Sequence, residues 1–492
     1  MKKIAIVFIA ALTFGIVSCS DFLDVNTDPN NAPTSTPALT LPAAIASSAS
    51  CFAGYYNILG GFWVEYWTQD NGSNQYKDID AYNIQQSTLN TTFSEMYSGA
   101  LNDYKFVREQ SKATGDWNLY LMGTVMQAYS FQLMADIYDQ IPLDEALQGA
   151  GNPNPHYLTG QQVYDTLIAR IDDALSKDFS ALTNTNPGES DILFGGNISK
   201  WKSFANTLKL KIYLRQIYAR PAVADAGIKA LFSSGASFLA DDAAMTQFID
   251  QENKSNPLYE MDQRKLNTKQ NIKGSKTFID FLIDAQDSRI GKLFIPNAKK
   301  TFIGLPQGDF GVPTTVIDPA TICRARITAT EPVYFLSKAE SYFLQSEAAA
   351  RGYGGDDEAL YISGISASFD QLDTLDASAS LTAPSGPYAY PSSGSLEAKL
   401  KAIITQKWIA LAGFEGAEAF TERNRTHYPE YSDVTYGDSG YQLGDLVYPI
   451  GGVTGTGNFP KRLLFPETER NRNINTPAQV PATTKIWWDQ KP

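Results

Sequence analysis

Apolar residues return every three to four positions through the longer segments of this chain, the period of a helix that buries one face. In residues 159–178, "TGQQVYDTLIARIDDALSKD", Val163, Leu167, Ile171 and Ala174 fall on one face, and Thr159 with Gln162 has the spacing of a capping box. Residues 118–138 repeat the idea with Met122, Val125, Met126, Tyr129, Leu133 and Ile137, and residues 199–219 do so with Trp201, Phe204, Leu208 and Ile212. Further helices are predicted over 331–352, through Phe335, Ala339, Tyr342, Ser346 and Ala349, and over 395–415. Between them lie long stretches rich in Gly, Pro, Ser and Asn, such as "TNTNPGESDILFGGN" and "SLTAPSGPYAYPSSGS". The pattern predicts a mostly α-helical body carrying long loops, and such loops are where binding groups concentrate.

The first residues follow a different rule. Lys2 and Lys3 precede an apolar run from Ile4 to Val17, too short to span a bilayer and typical of a cleaved export signal. Ile16-Val17-Ser18-Cys19 then matches a lipobox, in which the Cys thiol is acylated and the chain is cut just before it. Residues 1–18 are thus read as signal peptide, 19–42 as a lipidated linker rich in Asn, Asp, Pro and Thr, and 43–492 as one body. Asn26, Asp28 and Asn30 alternate like the start of a calcium loop, but Asn31 and Pro37 stand where such a loop needs Gly and Glu. The formal net charge of −13 becomes more negative by two when Lys2 and Lys3 are removed, which argues against nucleic acid and against docking on anionic lipid.

The chemistry of reaction is sparse. His156 and His427 are the only histidines and both sit in turn-rich text, and no H-E-x-x-H, paired C-x-x-C or P-loop motif is present. No catalytic residue, metal ligand or cofactor site is assigned. Two carboxylates for glycoside hydrolysis could hide among 53 acids, so a surface glycoside hydrolase stays open as an alternative. Cys51 and Cys323 are read as buried free thiols.

One window stands out. "CFAGYYNILGGFWVEYWTQDNGSNQY", residues 51–76, crowds eight aromatic residues ahead of a polar loop. Tyr55, Leu59, Phe62 and Tyr66 recur at helical spacing and should pack inside, while Gly60-Gly61 signals a close helix contact or a break. Beyond it, Trp67, Gln69, Asp70, Asn74, Tyr76 and Tyr82 combine rings with amides and an acid, the groups that stack on sugar faces and hold hydroxyl edges. These six are the candidate ligand-binding residues, weighed against a core or loop-anchoring role.

Several segments in order resemble the SusD/RagB-type nutrient-binding outer-membrane lipoproteins of Bacteroidetes, in their second SusD-like subgroup. They are "CSDFLDVNTDPNN", "LMADIYDQIPLDEAL", "DILFGGNISKWKSFANTLKLKIYLR", "YFLSKAESYFLQSEAAARGY", "ITQKWIAL", "KRLLFPETERNRN" and "KIWWD". Asp139-Gln140 and Asp287-Ser288-Arg289 depart from the family's usual Gly-Asp and Asp-Pro-Arg. The resemblance implies tetratricopeptide-like helix pairs, display on the cell surface through Cys19, and no bond broken. It also implies a partner, a SusC-like TonB-dependent transporter, to which oligosaccharide or, in a RagB-like alternative, peptide is delivered. By position it implies that the loops 69–83 and 302–313, "FIGLPQGDFGVP", line the ligand.

Overall fold

The computed structural model describes residues 35–492, so the lipobox, Cys19 and the Asn26–Asn30 stretch lie outside the described residues. Among the described residues, eleven helices of nine residues or more carry the body: α1 (Pro37–Trp63), α2 (Asn102–Thr114), α3 (Trp117–Tyr138), α4 (Gly160–Leu175), α5 (Ile198–Arg215), α6 (Pro221–Ser233), α7 (Lys276–Asp284), α8 (Lys338–Ala350), α9 (Asp357–Gln371), α10 (Leu396–Ala410) and α11 (Gly416–Thr426). Neighbours in sequence pack as pairs, α2 on α3, α3 on α4, α5 on α6, α8 on α9 and α10 on α11. This is the mostly helical body that the periodicity predicts, with the helix pairs that the resemblance implies.

Local chemistry sets the boundaries. Thr159 and Gln162 form the expected capping box on α4, and Val163, Leu167, Ile171 and Ala174 are fully buried. Asp116, Asn197, Asp356 and Ser395 accept from backbone amides at the starts of α3, α5, α9 and α10. Two boundaries differ from expectation. The helix expected from 331 starts only at Lys338, capped by Ser337, because Val333–Leu336 is a strand paired with Ala243–Met245. Helix α1 begins at Pro37, inside the segment read as linker, with Thr40 and Leu41 already buried. Proline at a first helical position sacrifices no hydrogen bond, so a Pro-rich text and a helix start look alike in sequence.

Helix α1 is long and apolar enough to cross a membrane, yet it packs against α2, α3 and α11 as a core element. Its Gly60 explains the double glycine: a Cβ there would stand 2.1 Å from the Gly416 carbonyl, and one on Gly416 would stand 2.4 Å from the Asn57 carbonyl. The pair is a close helix crossing, not a break.

Beneath the helix pairs lies a group of charges with almost no access to water. Lys211 and Arg215 on α5, Lys407 on α10 and Arg425 on α11 meet Asp136 on α3, Glu340 and Glu347 on α8, and Glu418 and Glu422 on α11. Arg215 Nη2 donates to Glu418 at 2.7 Å and Nε to Asp136 at 3.0 Å; Lys407 Nζ lies 3.0 Å from both Glu418 and Glu422; Arg425 Nε donates to Glu422 at 2.7 Å. Although burial opposes ionisation, these cations hold Glu418 and Glu422 well below, and Glu347 below, the ordinary carboxylate value of 4.5. Burial prevails at Asp136, pushed up to about 6, and at Asp80, pushed up to about 7.

The two sets act on stability with opposite sign. The depressed acids stabilise the fold above about pH 4.5 and lose that contribution as the pH falls. The raised acids favour the fold at low pH, and this contribution is lost as the pH rises through 6 to 7. Thermal midpoints measured across pH 3–9 are therefore expected to peak between about pH 4.5 and 6, with a steep acid limb; a monotonic rise from pH 5 to 8 would contradict this balance.

Candidate functional site

Helix α1 ends at Trp63, and Glu65 takes a left-handed conformation (φ 59°) that turns the chain into strand β1 (Trp67–Gln69). With β2 (Ile272–Gly274), β3 (Phe294–Ile295) and β4 (Arg324–Ala325), it forms an antiparallel sheet in the order β1-β2-β4-β3. The register sets Thr68 opposite Lys273 and Lys273 opposite Arg324. Two cations on directly paired positions repel, and only one of them is compensated.

That one is Lys273, whose ammonium is buried and donates to Gln270 Oε1 and the Pro319 carbonyl, both at 3.0 Å. It stands 3.5 Å from Asp70 Oδ1, an ion-pair distance; this oxygen accepts no hydrogen bond although Asp70 is 3 % exposed. Burial lifts the Asp70 carboxyl above its ordinary value, partly countered by Lys273. Arg324 is half-buried and, among the described residues, its guanidinium makes neither a hydrogen bond nor an ion pair; burial and the nearby Arg326 lower its pKa. Asp70, Lys273, Arg324, Gln270, Asn297 and Asp318 line a cleft of about 620 Å³, with Pro296 and Pro319 among its apolar walls.

The six expected ligand residues part company here. Asp70 reaches the cleft. Asn74 is exposed nearby. Trp67, Gln69, Tyr76 and Tyr82 are buried, which corrects the reading of a stacking platform. The Trp67 ring packs edge-on to Phe62 at 6.4 Å between centroids, and a Cβ at Gly61 would lie 2.6 Å from it. Gln69 staples the loop from within, accepting from Tyr76 N at 2.6 Å and donating to Ser73 Oγ at 2.8 Å. Tyr76 donates its hydroxyl to Asp262 at 3.0 Å, and Tyr82 packs against Trp63, Tyr448 and Phe459. Rings in a polar stretch are consistent with either a platform or an anchor, and only their direction decides.

The central loop also has a different task from the one expected. Gln307, fully buried, donates to the Trp67 carbonyl at 3.1 Å and to Asp80, which accepts from Thr68 Oγ1 and Gln69 N at 2.8 Å. Asn71 Nδ2 donates to the Ile317 carbonyl at 2.8 Å. Residues 302–313 thus brace the 69–83 loop from behind, and it is their continuation, Asp318–Ile322, that lines the cleft. Lys273, Arg324 and Asn297 carried no signal in the sequence, because each is an ordinary charged or polar residue until the sheet register aligns them. Cys51 and Cys323 are free, and burial pushes both thiols up to about 12.

The family described as starch-binding, associating with outer membrane (SusD-like) matches residues 29–449. The chain belongs to this family. A SusD homologue from Bacteroides uniformis is 22 % identical, with 92 % of this chain and 99 % of that one aligned at a TM-score of 0.71. A chitin-binding SusD homologue from Flavobacterium johnsoniae (20 % identical, 92 % and 97 % aligned, TM-score 0.72) and a SusD-like protein from Bacteroides thetaiotaomicron (20 %, 92 % and 98 %, 0.72) share the fold. No curated protein matches the chain. In this SusD-like chain the first-loop aromatics belong to the core, so Trp67→Ala is expected to cost about 3–5 kcal/mol in denaturant unfolding. A loss under 1 kcal/mol would return Trp67 to the surface.

Proposed function

We propose that this SusD-like chain is a non-catalytic lipoprotein of the cell surface, held in the outer membrane through Cys19, that captures oligosaccharide in the cleft over the small sheet. It passes the ligand to a SusC-like TonB-dependent transporter. The observation that carries the reading is the half-buried Arg324 guanidinium, without an acceptor among the described residues, on one cleft with Gln270, Asn297 and Asp318. A polar group left unpaired away from water costs about 1–3 kcal/mol, and with Arg324 offering donors beside the amides of Gln270 and Asn297 and the carboxylate of Asp318, the cleft favours a ligand that both donates and accepts. Sugar hydroxyls do both, whereas a simple anion would satisfy Arg324 and repel Asp70.

The family's description names starch, and one relative's name chitin, which supports a glucose- or N-acetylglucosamine-based glycan. Binding and release also fit the groups present: Arg324 offers hydrogen bonds to hydroxyls, and no nucleophile with an activating base faces it among the cleft's described residues. Arg324→Ala is expected to weaken malto- or chito-oligosaccharide binding by at least about tenfold, roughly 1.4 kcal/mol, by isothermal titration of the full chain. Its melting temperature should stay unchanged. Wild-type affinity in that variant would sink the assignment.

A further inference from the structure

A second cleft, of about 730 Å³, opens on the other side of residues 257–273. Its floor begins where α1 widens into a π-helical segment, Phe52–Tyr56, with Gly54 at φ −84°, ψ −115°. Such bulges redirect side chains and are common at functional sites. Phe52 and Tyr56, within the segment, turn inward and pack on other rings. Tyr55 lies half-buried in the cleft wall and, among the described residues, its hydroxyl has no hydrogen-bond partner and its ring no aromatic neighbour. Gly54 keeps the floor open, since a Cβ there would meet only the end of Met261, at 4.0 Å. Phe248, also half-buried and without an aromatic neighbour among the described residues, Met245 and Met261 complete an apolar surface, and Thr91 with Ser50 adds hydroxyls to the lining.

We infer that this cleft is a second carbohydrate-recognition site, separate from the Asp70–Arg324 cleft, in which Tyr55 and Phe248 receive the C–H face of a sugar ring. The inference rests on the carbohydrate reading given above for the first cleft. Most of the walls give an extended peptide no strand to pair with: α1, the helical turns of residues 90–101 and the π-helical turn Glu260–Arg264 satisfy their own backbone groups, and of the strand Ala243–Met245 its last residue, Met245, borders the cleft. A sugar needs only ring faces and side-chain hydroxyls. Buried hydrogen bonds link the two clefts: Tyr76, held by Gln69 of the first loop, donates to Asp262 beside Met261, and Asn271 donates to the same carboxylate at 3.1 Å.

The methionines provide a local reporter. Met96, Met122, Met126 and Met134 are buried in the core, whereas Met245 and Met261 line this cleft. With the mature lipoprotein in detergent and its methionine methyls carbon-13 labelled, maltohexaose or chitohexaose is expected to shift the Met245 and Met261 signals, assigned through Met245→Leu and Met261→Leu. Tyr55→Ala should weaken that response about fivefold while leaving binding that depends on Arg324 intact. Neither methyl moving with either saccharide at millimolar concentration would overturn the proposal, as would shifts that vanish in Arg324→Ala but ignore Tyr55→Ala. Shifts produced only by a tryptic peptide digest would overturn the carbohydrate assignment. Tyr55-dependent shifts beside unchanged affinity in Arg324→Ala would uphold this site and remove the first one.

Discussion

Four nearly inaccessible cations, Lys211, Arg215, Lys407 and Arg425, and five buried acids bind the helix pairs of this protein to one another. Each acid that loses water must be repaid by close opposite charge, and partial pairing would cost more than an apolar core. The helices therefore have little freedom to slide: a shift of α5 against α11 would strand Arg215 away from Glu418 and Glu422, and one against α3 would part it from Asp136. Hydrophobic faces such as that of α4 supply most of the burial, but they tolerate more displacement than a bidentate guanidinium.

On that rigid scaffold the ligand-side loops are fixed by a second, smaller set of constraints. The Gly60–Gly416 crossing brings α1 within backbone contact of α11, which places the end of α1 and the start of β1. Asp80 and Gln307 then tie the first loop to the central one through buried hydrogen bonds. The result is a cleft whose loops are held in place by the fold itself. The aromatics that crowd the first loop serve this rigidity. They hold the loop; Asp70 and Arg324 face the cleft.

The carboxylates divide by what surrounds them. Glu418 and Glu422 stay ionised because cations touch them, while Asp80, held by neutral donors alone, is protonated more easily. Asp70 lies between these cases, beside a buried lysine whose ammonium is shared with Gln270 and Pro319.

The sequence by itself determined the helices, their caps and their inward faces, because a 3.6-residue period and capping chemistry are local properties of the chain. Thr159 with Gln162, and Asp356 ahead of α9, could be read without knowing any neighbour. It also carried the family, through short segments in a fixed order, several of which contribute a member of the buried charge group. Direction and partnership were decided only by the tertiary structure. Trp67 and Tyr76 turn inward because Gly61 leaves room for one and Asp262 accepts from the other. Lys273 and Arg324, 51 residues apart, become neighbours through strand register. Such contacts are set by the packing of distant segments, and no local period records them.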